Sequence, residues 1–385
     1  MHPASAMTPQ ERFLATMKYQ PRDRCPMVDF AFWEETIPEW HKQGMPRSVK
    51  YEGYDTVETD AFFGQDGLGE WLPISLGLNP CFESSIIEDR GDHEVVIDGA
   101  GVTTLRKKQM GSIPMHLGHA LIDEDSWRKE FVHRLDPNSP ARLSQSFDSD
   151  VARFNASTHV RVLPGASLYG WIRDWMGVEA VSYLVYDEPD LFEEMVEQIT
   201  QVTLAVYEKA FAAGVTADAC GMWEDMCYSG GPLLAPNVFR KVLVPRYKRI
   251  SELLNKNGVE FIWIDCDGKI DELLPMWLES GINVMFPIEV GTWGADPVAM
   301  RKEYGKDLLL MGGVGKRMLA ESKEAITKEV ERLAPLVEEG GFIPMPDHRV
   351  PPDVPYEFFL HYVKEARRIW GRGTNLRPAP ALETT

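Results

Sequence analysis

The sequence predicts an α/β fold, a (β/α)8 barrel of the TIM type, from three observations. From about residue 160 onward, apolar runs alternate with helical stretches at 160–164, 217–223, 260–264, 283–287, 308–312 and 342–346. A further apolar run lies at residues 25–32, and a weaker one at 54–63, so that seven or eight strand–helix units favour a closed barrel over an open doubly wound sheet. The sequence also contains neither G-x-G-x-x-G after the first strand nor G-x-x-x-x-G-K-[ST], which removes support for nucleotide-binding folds.

Helical stretches separate the predicted strands. Residues 190–213 carry apolar side chains at spacings of three and four, which is typical of a helix with one face in the core, and Gly214 marks the end. Residues 236–257, 322–339 and 353–370 repeat this pattern, and a glycine follows each of them. Near the start of the chain, Thr8-Pro9-Gln10-Glu11 predicts a helix that begins with a capping box.

Residues 64–116 have a different character. Short runs of strand-forming residues are separated by Gly/Asp turns at 90–92 and 98–101, which predicts an antiparallel β-meander. We therefore expect one barrel domain over residues 8–371, with the meander inserted near residues 64–116. Residues 1–7 are expected to form an unstructured leader, and residues 372–385 a flexible tail.

Composition excludes several classes of protein. The chain has 385 residues, of which 44% are hydrophobic, and this is enough for a sizeable core. Its formal net charge of −19 disfavours binding to nucleic acid or to anionic lipid. Five scattered cysteines without a C-x-x-C pair indicate free thiols in a reducing compartment. With neither an export signal nor a membrane span visible, we expect a cytoplasmic protein.

The ends of the predicted strands are rich in carboxylates. Five strand ends carry one: Asp29, Glu224, Asp265, Glu289 and Asp347. In a barrel the carboxyl ends of the strands meet at one face, where unpaired charges in a dry pocket must be compensated. A divalent metal is the simplest compensation, although a basic substrate group or protonation would also serve.

Side-chain alternation predicts which residues hold this metal. Asp265 and Asp267 lie two residues apart and face the same way on a strand, while Cys266 faces the opposite way. His348, after the last strand, completes a three-ligand site with one open position, and Glu224 is a fourth ligand or a general acid. The alternative, given equal weight for each carboxylate, is a structural role in capping a helix or holding a turn.

A substrate pocket is predicted beside this site. Aromatic side chains at the strand ends would form an apolar wall, with two carboxylates among them. The pocket residues are Asp29, Phe30, Phe32, Trp33, Tyr169, Trp223 and Glu289.

The order of motifs resembles that of the uroporphyrinogen decarboxylase superfamily, which includes the corrinoid-dependent methyltransferases. The motifs are Glu11-Arg12-Phe13, Arg22-Asp23-Arg24-Cys25-Pro26, Trp223-Glu224-Asp225-Met226, Asp265-Cys266-Asp267-Gly268, and Gly340-Gly341-Phe342-Ile343-Pro344 followed by Val350-Pro351-Pro352-Asp353-Val354-Pro355. The likeness spans most of residues 8–371. It implies the same barrel and pairing of two barrels as a homodimer.

Two departures from the family pattern bear on the reaction. The decarboxylase branch carries an Arg-Gln-Ala-Gly-Arg segment for its polyanionic substrate, whereas residues 29–35 are acidic and aromatic in this chain. The methyltransferase branch binds zinc through His and Cys at positions that look like Asp265, Asp267 and His348. The resemblance therefore implies zinc or another divalent metal on harder ligands, and it is closer to the methyltransferase branch.

Three functions follow from this sequence. The first is transfer of a methyl group from a small O- or N-methyl compound to a corrinoid on a partner protein, with the metal as Lewis acid. The second is decarboxylation of a small carboxylic acid, which Arg173 would hold. The third is a barrel without catalysis that serves as a binding or scaffold subunit.

Overall fold

A computed structural model describes residues 6–108 and 113–371. The predicted tail at 372–385 and residues 1–5 of the predicted leader lie outside these ranges. The described chain divides into two compact units. The first unit comprises residues 6–70, 158–160 and 284–371, and the second comprises 71–108, 113–157 and 161–283.

Thirteen strands are present in the described ranges. They are β1 (Glu70–Trp71), β2 (Ser85–Arg90), β3 (His93–Ile97), β4 (Val102–Lys107), β5 (Met115–His119), β6 (Arg161–Pro164), β7 (Ala219–Trp223), β8 (Cys227–Tyr228), β9 (Gly231–Pro232), β10 (Phe261–Asp265), β11 (Val284–Ile288), β12 (Leu309–Val314) and β13 (Phe342–Pro346).

Sixteen α-helices are present in the same ranges. They are α1 (Pro9–Met17), α2 (Thr36–Lys42), α3 (Val57–Phe63), α4 (Glu124–Ser126), α5 (Phe147–Asn155), α6 (Gly170–Met176), α7 (Val178–Asp187), α8 (Pro189–Ala212), α9 (Pro236–Val238), α10 (Val244–Lys256), α11 (Leu274–Glu279), α12 (Val290–Trp293), α13 (Pro297–Tyr304), α14 (Met318–Glu321), α15 (Lys323–Glu339) and α16 (Tyr356–Trp370). Shorter 3-10 or π turns occur at Trp127–Phe131, Val132–Leu135, Pro140–Arg142, Phe239–Leu243 and Gly305–Asp307. Within residues 6–108 and 113–371, none of the helices is long and apolar enough to cross a bilayer.

The second unit contains two kinds of sheet. Strands β6, β7 and β10 pair in parallel, with Ala219 opposite both Val162 and Phe261. Strands β2 to β5 form a four-stranded antiparallel sheet in chain order. The predicted meander is therefore confirmed, although it begins later than expected and continues to His119.

The first unit contains the parallel strands β11, β12 and β13. Leu310 pairs with both Met285 and Phe342, so the strands run side by side in chain order. All five residues of β11 and of β13 are buried, as expected for strands covered on both faces. The predicted α/β class, with parallel strands joined by helices, is confirmed.

Two predicted strands are wrong in detail. Residues 26–31 form no regular strand, because the backbone N–H of Met27 donates to the Asp66 carboxylate and its backbone oxygen accepts from the N–H of Asp66. Only Phe32 pairs in parallel, with Val350. Residues 57–63 form α3 instead of the weaker eighth strand. Asp55 accepts from the backbone of Val57 at 3.0 Å and favours the helical turn.

The first helix follows its sequence signal. Thr8 accepts from the backbone of Glu11 at 3.1 Å, and the Glu11 carboxylate accepts from the backbone of Thr8 at 2.8 Å. The predicted capping box is thus confirmed. Arg12, one turn into this helix, is buried and donates to Asp66 at 2.6 Å, which ties α1 to the segment before β1.

Candidate functional site

Two aromatic rings lie beside His348 in the first unit, just beyond the carboxyl end of β13. The His348 ring lies 5.2 Å from the ring of Phe30 and 6.2 Å from that of Trp33, centroid to centroid. Phe286, on β11, lies 5.1 Å from Phe30. We call Phe30, Trp33, Phe286 and His348 the His348 cluster. The cluster contains three residues that the sequence analysis predicted, Phe30, Trp33 and His348, and one that it did not predict, Phe286.

Arg349 lies next to this cluster and was missed by the sequence reasoning. Its side chain is only 7% exposed, and its Nε donates to the backbone oxygen of Phe32 at 2.8 Å. The guanidinium carbon is 4.5 Å from the ring centroid of Trp33 and 4.7 Å from that of Tyr54. A signal existed, since Arg349 directly follows the histidine predicted to be catalytic.

Asp29 is buried in the same segment, and its carboxylate contacts Gln65. The side chain is 2% exposed, Oδ2 accepts from Gln65, and Oδ1 has no hydrogen-bond partner among the described residues. Burial raises the pKa of Asp29 to about 7, and the negative charge of Asp60 adds to this effect. Burial also raises the pKa of Asp60 to about 6. The role of Asp29 in a substrate pocket stays a prediction.

Three other strand-end residues of the first unit are held by structural contacts. Phe32 is fully buried and packs edge-on against Trp40, in the core. Glu289 is buried and accepts from the hydroxyl of Thr292 at 2.7 Å. Asp347 is buried and accepts from two backbone N–H groups, each at 2.9 Å. For these three residues, the contacts favour the structural role.

In the second unit, Glu224 has the most completely satisfied carboxylate of the predicted site. It is 0% exposed. Five donors reach its two oxygens: Ser167 Oγ, the backbone N–H groups of Leu168, Tyr169 and Gly170, and Tyr247 OH. Burial raises its pKa, and these hydrogen bonds oppose the rise. The geometry makes Glu224 a positioning residue for the loop between β6 and α6.

Asp265 and Asp267 lie at and just beyond the end of β10. Both are half-buried, whereas Cys266 between them is buried. Burial raises the pKa of the nearby Asp225, the charge of Arg173 opposes this rise, and the charge of Asp267 adds to it. Asp225 has a positive φ of 40°, an uncommon conformation outside glycine that is often found at functional sites. The sequence placed Asp225 at a strand end without assigning it a role.

The remaining predicted residues of the second unit are Tyr169, between β6 and α6, Trp223, at the end of β7, and Arg173, in α6. Tyr169 is buried, and burial raises the pKa of its hydroxyl to about 12. Trp223 is half-buried, with the guanidinium of Arg173 5.4 Å from its ring centroid. Arg173 itself donates to the Asp225 carboxylate at 3.2 Å and to that of Asp174 at 3.1 Å. These two carboxylates already compensate the charge of Arg173, which weakens the prediction that Arg173 holds a substrate carboxylate.

A metal centre was also predicted. In the part of the chain that the structure describes, no group of three or more His, Cys, Asp or Glu side chains is arranged to hold a metal ion. The predicted ligands Asp265, Asp267 and His348 stay a prediction, and no reaction step below depends on a metal.

Comparison with known proteins identifies the family. A family model described as uroporphyrinogen decarboxylase (URO-D) matches residues 174–369, just over half of the chain. The chain belongs to this family. The resemblance inferred from the motif order is thereby confirmed.

Individual URO-D relatives are distant. The uroporphyrinogen decarboxylase of Aliarcobacter butzleri (strain RM4018) is 27% identical over 187 residues, which cover 48% of this chain and 51% of that protein. The uroporphyrinogen decarboxylase of Sulfurovum sp. (strain NBC37-1) is 24% identical over 189 residues, 49% of this chain and 52% of that protein. The chain thus spans about half the length of the curated relatives it matches.

A solved structure shares the fold over more of the chain. A methyltransferase from Methanosarcina mazei superposes with a TM-score of 0.60 at 14% identity, covering 94% of this chain and 99% of that one. At this identity the similarity shows the fold alone, and it supports the predicted (β/α)8 class. The named relatives and this neighbour are enzymes of two kinds, decarboxylases and a methyltransferase.

We expect Glu224→Gln to destabilise the protein by about 2–4 kcal/mol. One carboxylate oxygen accepts from the backbone of Leu168 and the Tyr247 hydroxyl, the other from Ser167 Oγ and the backbones of Tyr169 and Gly170. The hydroxyls can turn and accept, but an amide nitrogen at either position leaves at least one backbone N–H without an acceptor. Urea unfolding measures the loss, and Glu252→Gln at an exposed site of α10 is the matched control. Equal stability of the two variants would contradict the structural role of Glu224.

We expect Asp29→Asn to stabilise the protein at about pH 8, by up to about 4 kcal/mol. Because the folded-state pKa of Asp29 is raised to about 7, the unfolded state releases this proton first, and the free energy of unfolding falls as pH rises from about 4 to about 7. Asparagine carries no charge and removes this dependence. Urea unfolding across this pH range measures the dependence, and Asp353→Asn at an exposed site is the control. If the free energy of unfolding of Asp29→Asn changes with pH as it does in the native chain, burial of Asp29 does not cause the dependence.

Proposed function

We propose that this chain is an enzyme that transfers a methyl group from a small O- or N-methyl compound to a corrinoid carried by a partner protein. The His348 cluster carries this proposal. The rings of Phe30 and Trp33 lie beside His348, and a wall of rings with one polar group suits a small apolar methylated molecule.

The charge of the same segment argues against a porphyrinogen substrate. A molecule with many carboxylates needs several cations that bind it bidentately. Residues 29–35 contain two glutamates and one aspartate but neither Lys nor Arg. Within the described ranges, Arg349 is the arginine that contacts the rings of Trp33 and Tyr54. A single cation suits a substrate with at most one acidic group.

The reaction requires the bond between the methyl carbon and its oxygen or nitrogen to break. The bonding electrons stay on that heteroatom, which then takes up a proton. A reduced corrinoid supplies the electron pair for the new bond to the methyl carbon. The part of this chain is to hold the methylated compound among the rings, to exclude water, and to place His348 at the heteroatom.

The divalent metal, zinc or another, remains a separate proposal. An imidazole and two carboxylates are a donor set that several divalent metals accept. Asp265, Asp267 and His348 are the ligands that the sequence assigns to it, and a metal held by them would supply Lewis-acid chemistry, on which the reaction described above does not depend.

Decarboxylation of a small carboxylic acid is the second candidate. The family match at residues 174–369 and the two curated relatives favour it, since those relatives are named uroporphyrinogen decarboxylases. This candidate requires no corrinoid, so a single assay separates the two.

We expect the full chain to form methylcobalamin when it is mixed with reduced cobalamin and a methyl donor. The panel contains methoxylated aromatic compounds and methylated amines, and the cobalamin spectrum and mass spectrometry follow the product. His348→Ala should lower the rate roughly a hundredfold or more, because the polar group of the ring wall is lost. His133→Ala, at an exposed position, should leave the rate unchanged.

Other outcomes of this assay identify the other functions. Release of carbon dioxide from small acids without cobalamin, and no methylcobalamin from any donor, would replace methyl transfer by decarboxylation. Neither product under any condition would favour the barrel without catalysis.

We expect elemental analysis of protein purified without chelator to find one divalent metal per chain. Asp267→Ala and His348→Ala should each lose it, because a three-ligand site does not hold its metal on two ligands as tightly. Asp271→Ala, at an exposed position on the following turn, is the control. Metal-free native protein, or variants that keep the metal, would end the metal proposal without affecting the assay of methyl transfer.

A further inference from the structure

Arg349 differs from the other buried arginines of the first unit. Arg12 donates to the carboxylates of Asp23 and Asp66. Arg301 donates to the backbone oxygens of Gly305 and Gly341 and to a tyrosine hydroxyl, so that only its Nε has no partner within the described ranges. Arg349 makes one hydrogen bond, from Nε to a backbone oxygen, and its buried Nη2 has no partner within the described ranges.

The surroundings of Arg349 compensate its charge only in part. The rings of Trp33 and Tyr54 lie over the guanidinium at 4.5 and 4.7 Å, and cation–π contacts of this kind are favourable but weak. Among residues 6–108 and 113–371, no carboxylate forms an ion pair with it. A cation buried without an anion is unfavourable, and such a group is commonly found where an anionic ligand binds.

We propose that Arg349 binds the carboxylate of an aromatic substrate whose ring lies against the His348 cluster. This inference rests on the proposed function, because it names the class of the methyl donor: a methylated aromatic carboxylic acid. Aromatic rings pack on the faces of a guanidinium, whereas its N–H groups lie in its plane. These N–H groups can therefore bind the two oxygens of a planar carboxylate. The rings of Phe30 and Trp33 supply the complementary aromatic surface.

Access to Arg349 depends on Tyr54. The Tyr54 side chain is 68% exposed although its ring lies over the buried guanidinium. It follows Gly53, which has a φ of +63°, in a short turn closed by the pairing of Glu52 and Asp55. A mostly exposed side chain is easily displaced, so Tyr54 is the ring that moves when a ligand enters.

The test is a binding measurement that needs no turnover. Isothermal titration calorimetry of the full chain compares methoxylated benzoates and naphthoates with their neutral carboxamides, and with acetate and inorganic phosphate. We expect at least one aromatic acid to bind about 10- to 100-fold more tightly than its carboxamide, the loss typical of one charge-assisted pair. Arg349→Gln should bind the acid and the carboxamide equally, Arg349→Lys should restore part of the difference, and Arg47→Gln, at an exposed site, should behave as the native chain.

Each other result overturns the inference. The native chain would then bind the acid and the carboxamide equally, or it would bind no aromatic acid at all. Alternatively, Arg349→Gln would still bind the acid more tightly than the carboxamide. Acetate or phosphate bound as tightly as the aromatic acids would show a simple anion site and remove the aromatic part. Near-ultraviolet circular dichroism of each variant shows whether the fold is kept. If an Arg349 variant fails to fold, Tyr54→Ala provides the second test: without the ring that must be displaced, the acid should bind several-fold more tightly and keep its preference over the carboxamide, and loss of that preference would overturn the inference.

The failure of this inference and that of the proposed function are distinguishable. Methyl transfer from neutral donors without any preference for acids would keep the proposed function and reject the role of Arg349. Tight, Arg349-dependent binding of an aromatic acid without methylcobalamin would keep the role of Arg349 and reject methyl transfer.

Discussion

The parallel bridge between Phe32 and Val350 determines which side chains can form a site in the first unit. Val350 donates to the backbone oxygen of Ala31 at 2.9 Å and accepts from the backbone of Trp33 at 3.1 Å. These bonds align the segment before α2 with the residues after β13. Because both segments are held by their backbones, the rings on one and His348 on the other meet without depending on flexible side chains.

Strand-end carboxylates in this chain are compensated in several ways, and this changes how the sequence must be interpreted. Glu224 is surrounded by hydroxyl and backbone donors, and Asp347 accepts from two backbone N–H groups. Asp225 pairs with Arg173. A shared cation is therefore only one solution among several, and for these three residues the protein itself supplies the donors.

Much of the fold follows from periodicity, whereas the site depends on tertiary contacts. The predicted strand at 342–346 agrees with β13, and the predicted helix at 190–213 differs from α8 by one residue at each end. Residues 54–63 were misread because a short apolar run does not distinguish a strand from one or two helical turns. Phe32 was assigned to a pocket because it closes a predicted strand, yet the irregular backbone before it turns the ring into the core. Arg349 was missed because its only signal was its place after His348, and that place does not show whether an acid lies beside the arginine.

The His348 cluster draws on two parts of the chain. Phe286 and His348 lie inside the stretch that matches the family model, while Phe30 and Trp33 lie before it. The stretch that matches the family model thus contributes the histidine and one ring, and the stretch before it contributes two rings. Substitutions before residue 174 can therefore change the rings beside His348 and leave the strands covered by the family model as they are.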